Sequence, residues 1–140
     1  MSLYIDTSVL VPLILPDALL GRAEMFRGTA KDLLIVSDLA AAEFSAVVGR
    51  RFRSGSLGAE DARSALDLLE RWGRDRARRA EITSSDVAQA SDYLRRFDLA
   101  LSAPDAIHIA AALRLSARLV TFDRGMARAA RALGAEIVEE

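Results

Sequence analysis

Acidic residues stand where several short elements of this chain meet. Asp6 and Asp123 each follow a short apolar run, and Asp105 falls in the first turn of a predicted helix. On a helix, the neighbours of Glu43 three and four positions away are all apolar, namely Leu39, Ala40, Ala46 and Val47. A carboxylate on such a face is costly unless it is paired or binds a cation.

Carboxylates at the ends of parallel strands would meet at one edge of a sheet. Two of them about 4 Å apart repel each other by roughly 4 kcal/mol at an effective dielectric constant of about 20. A hard divalent cation such as Mg²⁺ relieves that repulsion, because it prefers oxygen ligands and retains bound water. Such an ion can activate water and stabilise charge on a phosphodiester. The acidic pattern therefore indicates metal-assisted phosphodiester chemistry.

Each acid also has a purely structural interpretation. Aspartate is a favoured helix N-cap, which would account for Asp6, Asp38 and Asp123. Asp105 could complete a capping-box-like turn with the serine three positions before it. Glu43 could belong to a buried ion pair, for example with an arginine of a neighbouring helix.

Composition excludes several other chemistries. The 140 residues include no cysteine and one histidine, so disulfides, thiol nucleophiles and sites that need two histidines are ruled out. The longest apolar run, Val9 to Leu15, has seven residues and includes Pro12, whereas a membrane span needs about 18. With no signal-peptide pattern at the N-terminus, we expect a soluble cytoplasmic protein without membrane contact.

Short strands alternate with helices along the sequence. The apolar patterns predict strands at 3–5, 33–36, 118–122 and 135–138, and a weaker one at 80–82. They predict helices from residue 7, limited by Pro12 and Pro16, and at 18–30, 38–53, 58–73, 83–96, 102–116 and 123–133. This order predicts one α/β domain over 1–140, with a central, mostly parallel sheet flanked by helices.

Four segments carry a resemblance to a known family. They are Tyr4–Leu10, Ala41–Phe44, Pro104–Ala112 and Leu119–Asp123, and in this order they resemble the acidic motifs of PIN-domain ribonucleases. The resemblance covers essentially the whole chain. In its small size, the chain is most similar to the VapC-type toxins of toxin–antitoxin pairs.

This resemblance implies a PIN-like fold and Mg²⁺- or Mn²⁺-dependent endonuclease cleavage of RNA. By motif position it implies that Asp6, Glu43, Asp105 and Asp123 form the catalytic acidic set. Asp6 and Asp105 would be direct metal ligands, and Glu43 and Asp123 would complete the cluster, directly or through water. It also implies a cognate antitoxin and a homodimer.

Two hydroxyls and the single histidine lie close to these motifs in sequence. Ser8 and Thr121 could orient a carboxylate or hold water, or could simply bond nearby backbone. His108 stands one helical turn after Asp105. Because its neighbours are apolar, we interpret it as a packed, hydrogen-bonded histidine rather than a proton-transfer group.

A basic segment spans residues 50–79, with nine arginines against five acids. Such arginines could contact RNA phosphates or an antitoxin, or could be solvated helix ends. The candidates are Arg50, Arg51, Arg53, Arg74 and Arg76.

Other functions fit the sequence less well. A haloacid-dehalogenase-like phosphatase would need an aspartate at position 8, where this chain has Ser8, and a receiver domain would need a late lysine, whereas Lys31 is the only lysine. A non-enzymatic interaction module would leave Glu43 unexplained. A housekeeping RNA-processing nuclease stays open as an alternative to a toxin.

Overall fold

The computed structural model describes residues 1–15 and 32–138. Within them, four strands and six helices follow one another along the chain. The strands are β1 (Ser2–Ile5), β2 (Leu33–Ser37), β3 (Ala77–Ala80) and β4 (Arg118–Val120). The helices are α1 (Thr7–Ile14), α2 (Asp38–Arg53), α3 (Ala59–Arg76), α4 (Ser84–Leu94), α5 (Ala103–Arg114) and α6 (Arg124–Ala132).

The strands form one parallel sheet in the order β3-β2-β1-β4. Tyr4 on β1 pairs with Ile35 on β2 and with Leu119 on β4, so β1 is hydrogen-bonded on both sides. Its carboxyl end, and that of β4, therefore lie beside each other. The predicted mostly parallel α/β sheet is confirmed.

Apolar side chains alternate between the two faces of this sheet and build a core on each. Leu3 and Ile5 join a cluster with residues of α1, α2 and α3, whereas Tyr4 joins one with residues of α5 and α6. Because both faces are covered, the inner strands are continuous apolar runs, as parallel strands usually are.

Several predicted boundaries differ from the observed ones. The strand predicted at 80–82 lies at Ala77–Ala80 instead, and it includes two exposed arginines. This strand is the edge of the sheet, so one side stays solvated and no apolar run marks it. At the other edge, the strand predicted at 135–138 is a single bridge between Leu119 and Ile137.

The helix predictions hold with smaller corrections. Helix α1 continues past Pro12 to Ile14, because its residues from Val9 onward are buried and this packing compensates for the hydrogen bond lost at the proline. Helix α3 extends to Arg76 rather than ending at 73. The helix predicted at 18–30 lies outside the described residues. Among the helices that the structure describes, none is both long and apolar enough to cross a membrane.

Candidate active site

Asp6 lies at the carboxyl end of β1, almost fully buried at 3% exposure. Its carboxylate accepts hydrogen bonds from Ser8 Oγ at 2.7 Å and from Thr121 Oγ1 at 2.5 Å. It also caps α1 by accepting from the Val9 amide at 3.3 Å. Burial raises the pKa of Asp6, although these hydrogen bonds act in the opposite direction.

Ser8 and Thr121 join the ends of β1 and β4. Ser8 Oγ accepts a hydrogen bond from the Phe122 amide at 2.9 Å, and Thr121 Oγ1 accepts one from the Asp123 amide at 3.0 Å. Each hydroxyl thus donates to Asp6 while it holds the backbone that follows β4. Both hydroxyls therefore orient the carboxylate of Asp6. Their other suggested role, holding water, stays a prediction.

Glu43 lies on α2, half-buried, with 31% of its side chain exposed. Its Oε1 atom accepts hydrogen bonds from Thr7 Oγ1 at 2.7 Å and from His108 Nε2 at 2.6 Å. Burial raises the pKa of the carboxyl, but the bonds from His108 and Thr7 outweigh it and lower that pKa overall. Glu43 is therefore a held, ionised carboxylate at neutral pH.

His108 is buried at 1% exposure, on the inner face of α5. Its Nδ1 atom lies 2.7 Å from the hydroxyl of Tyr4, and the two rings meet edge to face. The interpretation of a packed, hydrogen-bonded histidine is confirmed.

Asp105 and Asp123 lie at the starts of α5 and α6. Asp123 is the N-cap of α6 and accepts from the Met126 amide at 3.0 Å, as predicted. Ser102 caps α5 by accepting from the Asp105 amide at 3.3 Å, which is one half of the predicted capping-box-like turn. Burial raises the pKa of Asp105, and the negative charges of Asp123 and Glu43 raise it further. These three carboxylates therefore share one electrostatic environment.

Asp38 departs from its predicted role as a helix cap. The cap of α2 is Ser37, whose side chain accepts from the Ala40 amide. Asp38 instead accepts a hydrogen bond from the Ile82 amide at 3.0 Å. It therefore ties α2 to the segment that follows β3.

The donor atoms at this edge suit a hard cation, since all of them are oxygens. In the described part of the chain, no three acidic or histidine side chains are grouped tightly enough to enclose an ion. Mg²⁺ does not need such a cage, because it usually binds through one or two carboxylates and keeps several waters. Burial raises the pKa of Asp105, and repulsion from Asp123 and Glu43 adds to the rise; a bound cation would relieve that repulsion.

The predicted contact arginines lie apart from these acids. Arg50, Arg51 and Arg53 occupy the last turn of α2, about 10–15 Å along the helix from Glu43. Arg74 and Arg76 end α3 just before β3 begins, and so lie towards the amino edge of the sheet. Arg74 also lines a surface groove with Asp67 and Glu70. Their contact with RNA or an antitoxin stays a prediction.

Two residues at the site were not among the predicted ones. Thr7 donates to Glu43, and Tyr4 contacts His108. A signal was available for Tyr4, because its hydroxyl is the only polar group in the run Leu3–Ile5 and a buried tyrosine needs a partner. Thr7 resembled an ordinary first residue of a helix.

Comparisons with known proteins agree with this geometry. The family model of the PIN domain matches residues 3–132. The chain belongs to the PIN domain family. No curated protein sequence matches the chain significantly.

Solved structures of this family are similar to the chain over nearly its whole length. VapC20 of Mycobacterium tuberculosis, a sarcin–ricin loop cleaving toxin, superposes with a TM-score of 0.77 at 21% identity, covering 99% of both chains. VapBC2 of Rickettsia felis, bound to promoter DNA, gives 0.69 at 17% identity, covering 99% of this chain and 98% of that one. FitAcB of Neisseria gonorrhoeae gives 0.64 at 19% identity, covering 98% and 96%. At these identities the likeness establishes the PIN fold.

Proposed function

We propose that this PIN domain is a divalent-metal-dependent endoribonuclease and the toxin of a toxin–antitoxin pair. The observation that carries the proposal is the hydrogen-bonded arrangement at the carboxyl ends of β1 and β4, where Thr121 bonds both the Asp6 carboxylate and the Asp123 amide. Burial raises the pKa of the neighbouring Asp105, and the charges of Asp123 and Glu43 raise it further. Simple helix caps would have no reason to gather charge in this way. The similarity to VapC20, which is described as a toxin that cleaves the sarcin–ricin loop, supports a nuclease that is a toxin.

At this edge of the sheet, some residues would hold the ion and another would orient the water. Asp6, Asp105 and Asp123 would hold Mg²⁺ or Mn²⁺, which when bound lowers the pKa of water and neutralises charge on the phosphodiester. The hydroxyls of Ser8 and Thr121 fix the carboxylate of Asp6.

Glu43 has a different part in this proposal. Its lowered pKa keeps it ionised, so it can accept a hydrogen bond from the attacking water and hold that water in line with the scissile bond. Proximity and orientation of this kind supply much of the rate of such reactions.

An antitoxin is the proposed protein partner, and the protein itself is proposed to be a homodimer. A similar structure from Klebsiella pneumoniae is described as a toxin–antitoxin complex, which supports a protein partner for this chain. Light scattering of the purified protein, alone and with a candidate antitoxin encoded by any small gene next to its own, measures both assemblies. A mass of one protomer in each sample would contradict them.

Cleavage of total RNA tests the enzymatic part of the proposal. We expect cleavage with Mn²⁺ or Mg²⁺, loss of cleavage with EDTA, and loss in Asp105→Asn. Asp38→Asn is the matched control, because Asp38 is an acid at the start of a helix that binds only a backbone amide in the structure. If a broad RNA panel stays intact and Mn²⁺ produces no thermal shift, the chain is an interaction module.

Growth separates a toxin from a housekeeping nuclease. Induced expression of a toxin should arrest growth, and co-expression of its candidate antitoxin should restore it. A housekeeping enzyme should cut RNA in the test tube and leave growth unchanged, which would overturn the toxin assignment alone.

A further inference from the structure

A line of hydrogen bonds connects the centre of the sheet with Glu43. Tyr4 lies on β1, fully buried, and its hydroxyl is 2.7 Å from His108 Nδ1. The other ring nitrogen, Nε2, is 2.6 Å from Glu43 Oε1. Three elements, β1, α5 and α2, therefore meet through one imidazole ring.

The chemistry of the three groups gives this line a direction. A carboxylate only accepts hydrogen bonds, so His108 Nε2 must carry a proton. Burial raises the pKa of the Tyr4 hydroxyl, which therefore keeps its proton and can donate it to Nδ1. That bond disfavours the tautomer in which Nδ1 carries the ring proton and Nε2 has none to give to Glu43.

Both donors reach the same oxygen of Glu43. Thr7 Oγ1 and His108 Nε2 bond to Oε1, whereas no hydrogen bond among residues 1–15 and 32–138 is drawn to Oε2. The side chain is nevertheless partly exposed. One oxygen is thus used for holding the group, and the other remains available.

We propose that Tyr4 and His108 are a positioning pair, which holds Glu43 by Oε1 so that Oε2 can orient the water of the reaction. The proposal rests on the function proposed above and adds two residues that do not touch the substrate. It assigns the histidine a role through Glu43 rather than a proton-transfer role of its own.

Loss of the pair should loosen Glu43 without removing it. Glu43 would act on the ion through the water that its Oε2 orients, and outer partners around a metal site typically change metal affinity or activity by about 10- to 100-fold when they are substituted. We expect the Mn²⁺ concentration for half-saturation to rise about 10-fold in His108→Leu, which fills the space but has no donor. His108→Gln should restore much of the affinity, because its amide can donate from nearly the position of Nε2.

Two further variants separate position from stability. Tyr4→Phe keeps the ring in the core and removes only the hydroxyl, so its Mn²⁺ affinity should fall between those of the wild type and His108→Leu. Val48→Ala is the control, since Val48 is buried on the same helix as Glu43 and has no polar group. It should lower the melting temperature and leave Mn²⁺ affinity unchanged.

The measurements need neither a known RNA nor a cleavage reaction. Electron paramagnetic resonance of free Mn²⁺ gives the affinity of each full-length variant for the metal alone. Because the chain has one histidine, a long-range ¹H–¹⁵N spectrum shows a single imidazole. We expect a protonated Nε2 in the wild type and a mixture of tautomers in Tyr4→Phe.

Each outcome decides the proposal. An unprotonated Nε2 in the wild type, or a folded His108→Leu with wild-type Mn²⁺ affinity, would overturn it. Equal loss of affinity in Val48→Ala would also overturn it, because the effect would then follow stability. If His108→Leu does not fold, the Tyr4→Phe spectrum and affinity decide. If the wild type cuts no RNA, the endonuclease proposal fails, while the spectrum and the Mn²⁺ affinities still test the positioning pair.

Discussion

Helix α5 binds two acidic side chains, Glu43 at its middle and Asp86 at its end, and the two are held differently. At the middle of the helix, His108 bonds one oxygen of Glu43, Oε1. At its end, Arg114 bonds both oxygens of Asp86, from Nε at 2.8 Å and from Nη2 at 3.0 Å. Asp86 also accepts from the Thr83 amide within a capping box and is 2% exposed.

The difference distinguishes a structural carboxylate from an available one. Burial raises the pKa of Asp86, but the bonds from Arg114 and Thr83 outweigh it, so its pKa is lowered. The pKa of Glu43 is lowered for similar reasons. Charge state therefore does not separate the two groups. Among residues 1–15 and 32–138, what separates them is that both oxygens of Asp86 accept hydrogen bonds, whereas only Oε1 of Glu43 does.

The largest expected effect is on catalysis at the carboxyl edge of the sheet, where the charges of Asp105 and Glu43 interact. Asp105→Asn should reduce RNA cleavage about 100-fold or more, because it removes a charge that acts on the reaction. Its melting temperature should not fall, since the substitution relieves repulsion from Asp123 and Glu43. Cleavage rate and thermal unfolding, measured on the same preparation, check both parts. A variant with normal cleavage would place the reaction elsewhere.

At Asp86, whose two oxygens both accept hydrogen bonds, the effect should be on stability. Asp86→Asn removes the charge between Arg114 and the capping box, so we expect a loss of about 2–3 kcal/mol in the free energy of unfolding. Cleavage per folded molecule should be unchanged. Urea unfolding gives the first quantity and an activity assay the second. Unchanged stability would mean that the pair contributes nothing net.

Loss of a hydrogen bond to the buried Asp6 should lower the free energy of unfolding by an intermediate amount. Thr121→Val removes the donor to Asp6 Oδ2 and an acceptor for the Asp123 amide, at about 2 kcal/mol of stability. Thr7→Val is the matched threonine variant. It should cost less than about 1 kcal/mol, because Glu43 is partly exposed and keeps its bond from His108. Equal losses in urea unfolding would contradict this distinction.

The smallest effects should be on the pH dependence of stability, to which Asp105 and Asp86 should contribute in opposite directions. The raised pKa of Asp105 means that the folded protein binds more protons than the unfolded chain above the ordinary aspartate pKa. Its contribution to stability therefore falls as pH rises through that range. The lowered pKa of Asp86 means the reverse, a stabilisation that is lost as pH falls.

Thermal unfolding of two variants over pH separates these contributions. Relative to wild type, Asp105→Asn should gain stability at neutral pH, and the gain should vanish below about pH 4. Asp86→Asn should be most destabilising at neutral pH, and its deficit should shrink in acid. Parallel curves for the two variants would contradict the assignment of either shift.

Local rules predicted most of the fold and only part of the site. Continuous apolar runs were enough to find β1 and β2, and capping chemistry was enough for Asp6 and Asp123. Asp38 was misassigned because Ser37, one position earlier, caps the same helix. The strand β3 was misplaced because an edge strand needs little apolar character.

The contacts of Glu43 show why the rest could not be predicted. Its apolar surroundings indicated that it needed a partner, but Thr7 and His108 lie on other elements, distant in sequence. Only the three-dimensional packing of α5 against the sheet selects that histidine. The same holds for Tyr4, because its sequence position indicates that the hydroxyl needs a partner but only the packing shows that the partner is His108.

The bond between Thr121 and Asp6 has a consequence for synthesis of the protein. It joins residues 115 positions apart, so Asp6 lacks this partner until the segment that carries Thr121 has been synthesised. Domains emerge with their N-terminal part first, and contacts this distant in sequence form slowly. A nascent chain therefore carries its first acidic motif without its last, and the buried carboxylate of Asp6 acquires the Thr121 hydroxyl as a donor late in folding.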